Sequence, residues 1–252
     1  MPDPAGVGPE LFDDHYLHFY GDMLAARAAQ DAERVARLLG LSGGEDVLDA
    51  PCGHGRIANL LAARGCRVVG VDNSARFLAL AEADARRRGV EAATEYRLGD
   101  LRELAFEAGF DAALNWFTSF GYFDDAGNHR MLEGFARALR PGGRLVVELL
   151  NRDVVVRRIP PGDDAALVLL ERGDDLLVDR TRLDAATGRT ETERIVVLGG
   201  RVRRLTMSVR APTLPELRDM LLAAGFASVE AFDERGEPFT SAARRLVVVA
   251  RR

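Results

Sequence analysis

The 252 residues of the chain, 47% hydrophobic and 29% charged, suffice for one large domain or one domain with a sizeable insertion. Arginine supplies all 34 basic residues against 39 acidic ones, a formal charge of −5. Such a chain lacks the field that draws in nucleic acid and, without lysine, excludes Schiff-base chemistry and a phosphate-binding lysine loop.

A first helix is expected over about 22–40, with Met23, Ala26, Val35, Leu38 and Leu39 at helical spacing and Gly40 as its stop. Strands and helices then alternate. VLDA (47–50) is a strand, RIANLLAARG a helix from Arg56 to a glycine cap, RVVGVD (67–72) a strand and ARFLALAEADARRRG a helix with the same kind of stop. A third strand lies in ATEYRLGD and a fourth in FDAALNWF (110–117). A helix over about 126–140 is closed by Pro141-Gly142-Gly143, and RLVVELL (144–150) is the fifth strand. After residue 150 the period changes to that of strands joined at Gly173-Asp174, Thr187-Gly188 and Gly199-Gly200. LPELRDMLLAAGF (214–226) is an amphipathic helix with Thr213 as N-cap and Gly225 as stop, and ASVEAF and RRLVVVA close the chain as strands.

This order predicts an α/β fold: a Rossmann-like, doubly wound, mostly parallel seven-stranded sheet with an antiparallel β insertion after the fifth strand. The expected organisation is an N-terminal helical cap (1–40), a core (41–152 and 211–252) and an insertion (153–210) over the active site. No apolar run approaches the about 18 residues of a membrane span, and the acidic stretch MPDPAGVGPELFDD lacks the apolar centre of a signal peptide. Cys52 and Cys66 offer no disulfide framework, and His15, His18, His54 and His129 no metal set, so a reduced, cytoplasmic protein without metal or membrane is expected. The clusters Arg86-Arg87-Arg88 and Arg201-Val202-Arg203-Arg204 read as surface charge, and the insertion's edge strands could pair in a homodimer.

Gly53-His54-Gly55-Arg56-Ile57-Ala58 has the G-x-G-x-x-A spacing of a dinucleotide-binding turn, yet Asp49 stands beside it at the end of the strand. A pyrophosphate about 4 Å from that carboxylate would be disfavoured by roughly 4 kcal/mol at an effective dielectric near 20. S-adenosylmethionine, with an ammonium, a sulfonium and a carboxylate, suits the pattern better. The acid attracts a cation, the helix N–H groups receive the carboxylate, and glycine lets the backbone approach. Asp72 ends the second strand where an acid can accept from ribose hydroxyls, and Asp100 follows the third, where it can accept from an adenine amino group beside Leu101.

VLDAPCGHG, VVGVDNS, RLGDL, FDAALNWFTSFGYF and LRPGGRLVVE, in this order, resemble the bacterial class I S-adenosylmethionine-dependent methyltransferases over about residues 12–150. TSFGYF and FDDHYLHFY carry a narrower likeness to small-molecule members, including amino-sugar N,N-dimethyltransferases. Carried over by position, the resemblance implies that Asp49, Gly53 and Gly55 hold the methionine end, Asp72 and Asn73 the ribose, and Asp100 with Leu101 the adenine. Asn115 would lie near the methionine portion, Arg56 would pair with its carboxylate or sit on the helix surface, and Tyr16 would cover the cofactor or simply pack. Many members have glycine where this chain has Pro51, which deletes an N–H at the turn entry, so the loop's first ligand contact is expected from Cys52, Gly53 or later.

The implied reaction is methyl transfer from S-adenosylmethionine, leaving S-adenosylhomocysteine, to a nitrogen or oxygen of a small-molecule acceptor by in-line displacement. A neutral amine needs no base; an alcohol or phenol would gain from one, for which Tyr122, His129, Asp124 and His15 are candidates. Thr118, Ser119 and Tyr122 are the expected acceptor contacts, whereas about half of the aromatics at 116–123 are expected in the core. Two rivals stay open: an NAD(P)-binding oxidoreductase, although a lysine-free chain has no Tyr-x-x-x-Lys pair, and a protein that binds S-adenosylmethionine without turning it over.

Overall fold

Five strands build the parallel part of the main sheet: β1 (Asp46–Asp49), β2 (Arg67–Asp72), β3 (Thr94–Leu98), β4 (Phe110–Asn115) and β5 (Leu139–Leu150), with an α-helix after each but β3, which a short turn joins to β4. The computed structural model describes residues 11–159 and 163–252; the first ten residues of the expected N-terminal cap, and 160–162 of the expected insertion, lie outside the described residues. The insertion carries β6 (Ala166–Arg172), β7 (Asp175–Asp184), β8 (Arg189–Leu198) and β9 (Arg201–Arg210), paired in sequence as an antiparallel sheet. The chain then returns through β10 (Ser228–Phe232) and β11 (Arg245–Arg251), both antiparallel to their neighbours. The main sheet runs β10-β11-β5-β4-β1-β2-β3, so the strand order reverses at β1, between β4 and β2.

Six α-helices are described: α1 (Asp14–Leu39), α2 (Ala58–Ala63), α3 (Ala75–Arg88), α4 (Asp125–Ala138), α5 (Arg152–Arg158) and α6 (Leu214–Ala223). α1 and α2 close one apolar layer with Val35, Leu39, Leu61 and Trp116; α4 and α6 close the other with Met131, Phe135, Leu217 and Leu221. α6 begins with a reciprocal capping box between Thr213 and Glu216, as Thr213 before an acidic first turn allows.

Some boundaries depart from expectation. α1 starts at Asp14, taking in the aromatic segment, and its buried stripe is Leu24, Asp31, Ala32, Val35, Ala36 and Leu39, whereas Met23 is exposed (41%) and Ala26 is exposed with it. Helical spacing fits several faces of so alanine-rich a segment, and tertiary packing selects among them. α2 begins at Ala58 rather than Arg56, β5 begins before Pro141, and α5, capped by Asn151, was not expected.

The insertion is tied to the loop after β4. Arg210 N–H donates to the Gly121 carbonyl (2.8 Å), and Arg189 reaches the Phe123 carbonyl (3.0 Å). Gly121 lies at φ 96, and a Cβ there would collide with the Arg210 carbonyl, so only glycine fits this junction.

Candidate active site

Asp49 ends β1, Asp72 ends β2 and Asn115 ends β4, at the C-terminal edge where the strand order reverses and a crevice opens in such sheets. All three are buried, at 2%, 6% and 0% exposure. Asp72 accepts from the Gly53 N–H (2.8 Å) and the Ser74 N–H (2.9 Å). Asp49 has less support. Burial pushes its carboxyl up to about 8 and the Asp72 charge adds to the rise, while Arg56 and the Ala58 N–H work the other way. Asn115 donates to the Ala50 carbonyl (3.0 Å), and its Oδ1 is buried without a partner among the described residues.

The two loop glycines do different work. Gly55 (φ 75) is closed in, because a Cβ would lie 2.7 Å from Ala81 Cβ and 2.8 Å from the Tyr96 hydroxyl. Gly53 (φ 54) meets nothing within 4 Å on that side. Its open side, beside two buried carboxylates, is a cradle that a ligand backbone can enter. Cys52 N–H is bonded to the Val71 carbonyl (2.9 Å) and Gly53 N–H to Asp72, so of the expected range, Cys52, Gly53 or later, the later N–H groups are the ones that these two bonds leave for a ligand.

Arg56 is no surface arginine. Its side chain is 11% exposed and pairs with Asp31 of α1 at 2.7 Å. Asp31, 1% exposed, also takes Arg27 (2.9 Å) and Arg34 (3.9 Å). One buried carboxylate stands among three partly buried guanidinium groups, an excess of positive charge that a ligand carboxylate would reduce. The Phe117 ring lies under this cluster, 5.1 Å from Arg27 and 5.3 Å from Arg56. Asp31 was a legible signal: it shares the i, i+4, i+8 face with Val35 and Leu39, and a charge on a buried stripe needs a partner.

Asp100 is already engaged by a neighbour. Its carboxylate caps the turn at Leu101–Glu103 through the Arg102 N–H (2.8 Å) and is gripped by the Arg102 side chain at 2.6 Å, which holds it below the usual carboxylate range. Leu101 is buried (8%), and Asn73 is exposed between Asp72 and Ser74.

α1 lies across the strand tips. Tyr16 packs on Phe12 (5.4 Å), Tyr20 (5.0 Å) and Phe77 of α3 (6.2 Å), and Phe12 in turn meets Tyr122 edge-on (5.7 Å). Above them, Arg194 of β8 forms a double contact with Asp179 of β7 (both 2.7 Å) and reaches the Tyr20 hydroxyl (3.4 Å). Two further grooves lie away from the strand tips, one by Glu103–Glu107 and one at the opposite strand ends by Asp111 and Arg140–Arg144.

The candidate bases fare unequally. His129 sits on α4, 40% exposed and 3.5 Å from Glu133 one turn on, so it is set aside. Asp124 caps α4 through the Gly127 N–H (2.7 Å), and His15 is bound to Asp13 (2.8 Å), itself paired with Arg203. Tyr122 remains near the site, but burial pushes its phenol up beyond its ordinary value, which keeps it a neutral hydroxyl that can donate a hydrogen bond rather than a phenolate base. Burial raises the Tyr16 phenol likewise, to about 12. Thr118 Oγ1 accepts from Arg245 (2.7 Å), which leaves its O–H to donate, and Ser119 Oγ donates to the Trp116 carbonyl (2.9 Å), which leaves its lone pairs to accept. Trp116 and Phe120 belong to the core.

Residues 47–143 match the family model described as a methyltransferase domain. The chain is 31% identical to a demethylmenaquinone methyltransferase of Clavibacter sepedonicus, over 74% of this chain and 67% of that protein. It spans about half the length of other curated relatives that it matches (54%, 47% and 51%). In fold it is similar to the CcbJ methyltransferase of Streptomyces caelestis (TM-score 0.74, 23% identity, 89% of each chain). It is similar also to the sugar N-methyltransferase KedS8 of Streptoalloteichus sp. ATCC 53650 (TM-score 0.65, 23% identity, 100% of this chain and 95% of that one). Matched family domain, strand order and the acid-flanked glycine turn agree: the chain belongs to the S-adenosylmethionine-dependent methyltransferases.

Proposed function

We propose that the protein transfers the methyl group of S-adenosylmethionine to a nitrogen of a small-molecule acceptor by in-line displacement, with oxygen as the alternative nucleophile. The observation that carries this reading is the pair of buried carboxylates, Asp49 and Asp72, flanking the open side of Gly53 beside an arginine-rich cluster. When bound, the cofactor supplies a methyl group made electrophilic by its sulfonium. Asp49 offers its carboxylate to the ammonium and sulfonium, and Arg27 and Arg56 offer the uncompensated positive charge to the methionine carboxylate. Asp72, with Asn73 beside it, receives the ribose hydroxyls, and Leu101 with Asp100 borders the adenine. Gly55 and Asn115 support this edge from beneath, and Tyr16 covers it and excludes water.

Thr118, Ser119 and Tyr122 face the acceptor. A nitrogen nucleophile is favoured because an amine arriving neutral needs no base, and Tyr122, the candidate base beside the site, has its phenol raised by burial. The likeness to a sugar N-methyltransferase supports an amine-bearing, hydroxylated acceptor. We place the reaction in the cytoplasm. A homodimer is supported by the outer face of the insertion, where Leu167 (70%), Leu169 (56%) and Val202 (63%) are exposed; analytical ultracentrifugation tests that part.

Titration calorimetry with S-adenosylhomocysteine tests the cofactor half. Asp72→Ala is expected to weaken binding by about tenfold or more, the worth of a charge-assisted hydrogen bond. Asp100→Ala is expected to weaken it less, because Arg102 already engages that carboxylate. Absence of binding by the unaltered protein would end the reading. Radiolabelled methyl donor offered with D-glucosamine, sarcosine and catechol then separates an enzyme from a protein that only binds the cofactor.

A further inference from the structure

The exit of β4 adopts a conformation that most side chains avoid. Phe117 and Thr118, neither of them glycine, lie at φ 66 and φ 59 in succession. Left-handed backbone of this kind persists only where its surroundings over-determine it. Here they do. Glu148 of β5, 0% exposed, accepts the Phe117 N–H at its Oε2 (2.8 Å), and its own carbonyl accepts the Thr118 N–H (2.9 Å). Arg245 of β11 closes the arrangement: Nε donates to Glu148 Oε1 (2.5 Å), and Nη2 donates to Glu148 Oε2 (2.6 Å) and Thr118 Oγ1 (2.7 Å).

A buried ion pair is weak evidence for stability, since an apolar pair of similar volume would join β5 and β11 at least as well. What this pair does that an apolar pair could not is hold the strained turn. The turn lies between the two halves of the site. Its Phe117 ring is shared by Arg245 (5.7 Å) and by the Arg27 and Arg56 groups of the cofactor side. The loop it launches carries Tyr122 on the acceptor side and Gly121, on which the insertion is docked.

We infer that Glu148 and Arg245 are positioning residues for methyl transfer, fixing the 117–122 loop so that the acceptor is held in line with the cofactor. This rests on the methyltransferase reading above. Thr118→Gly is the informative variant, because glycine is at ease at φ 59 and the Arg245 anchor is lost; the hydroxyl proposed to face the acceptor goes with it, so Trp116 quenching, which needs no acceptor, separates the two losses. Its thermal midpoint should be equal to or above that of the unaltered protein, and its S-adenosylhomocysteine affinity should be unchanged. Its kcat should fall by about tenfold or more with the better acceptor among D-glucosamine, sarcosine and catechol. Trp116, the sole tryptophan and 3% exposed, should become more accessible to acrylamide quenching, a readout that needs no acceptor.

Arg245→Lys keeps the buried charge balanced but loses the planar fork that serves Glu148 and Thr118 together. It should recover the thermal midpoint lost in Arg245→Met without recovering kcat. Unchanged kcat or unchanged Trp116 quenching in Thr118→Gly, or full recovery of kcat by lysine, would overturn the inference. Failure of the unaltered protein to bind S-adenosylhomocysteine would be a different result, removing the methyltransferase reading itself.

Discussion

Asp49→Asn should make the ligand-free protein more stable and its cofactor complex weaker, with both effects set by pH. At 2% exposure, burial carries the Asp49 carboxyl from an ordinary 3.8 to about 8. Below pH 3.8 folded and unfolded chains both keep the proton, and stability is highest on this account. Between those values the unfolded chain ionises while the folded one does not, so stability falls as pH rises; above about 8 the full deficit remains. A shift of about 4 units sets a ceiling of about 5–6 kcal/mol, which water entering the cleft reduces. Asparagine removes the slope. Urea unfolding should therefore show the variant gaining on the unaltered protein by about 2 kcal/mol or more between pH 5 and pH 9. Binding should run the other way: at pH 7 about nine in ten ligand-free molecules hold the proton, so capturing the ammonium of S-adenosylhomocysteine releases close to one. Calorimetry at pH 7 in two buffers of different ionisation heat measures that release, which Asp49→Asn should abolish. An asparagine variant less stable at every pH, or binding without proton release, would refute the reasoning.

The two loop glycines should part company when changed to alanine. Gly53→Ala bears only the left-handed penalty of about 1–2 kcal/mol and folds, but its methyl enters the open cradle and S-adenosylhomocysteine affinity falls. Gly55→Ala adds contacts with Ala81 and Tyr96, about 1–3 kcal/mol more, visible as a lower urea midpoint. Asp31→Ala removes the one buried carboxylate that pairs three partly buried guanidinium groups and should cost about 3 kcal/mol, read from thermal unfolding. Glu216→Gln loses the capping-box charge beside Arg210; since Glu216 is 38% exposed, about 1 kcal/mol is expected at pH 7. The Glu216 carboxyl is lowered from 4.5 to about 2, so that difference should shrink as pH falls through this window.

Local patterns made the strands legible because their chemistry is local: VLDA and RVVGVD are buried on both faces, and Gly173, Gly188 and Gly199-Gly200 mark the insertion's turns at positive φ. The acids at the tips of β1 and β2 were legible for a related reason, as their place in the chain fixes their place on the sheet edge. What escaped depends on partners far along the chain. Asp100 looked like a free acceptor because Arg102 can be read equally as a solvated turn residue. Arg245 could not be linked to Glu148, 97 residues away, although a lone acid in RLVVELL must be paired if that run is buried. The strain at Phe117 and Thr118 has no signature in residue type, since left-handed turns normally announce themselves with glycine or asparagine.

Partner identity sorts the acids by role better than burial does. Five carboxylates are buried among the described residues: Asp31, Asp49, Asp72, Glu148 and Asp179. Three are held by arginine side chains: Asp31 by Arg27, Arg34 and Arg56, Glu148 by Arg245 and Asp179 by Arg194. Arginine suits that task, its planar fork engaging both carboxylate oxygens at little loss of order. An acid so engaged has its charge spent inside the fold. Asp72 is served by backbone N–H groups alone, and Asp49 feels Arg56 only at a distance. Each therefore keeps negative charge, or the capacity to acquire it, for something not supplied by the chain. By the same criterion the half-exposed Asp100, gripped by Arg102, falls with the acids whose charge is engaged inside the fold.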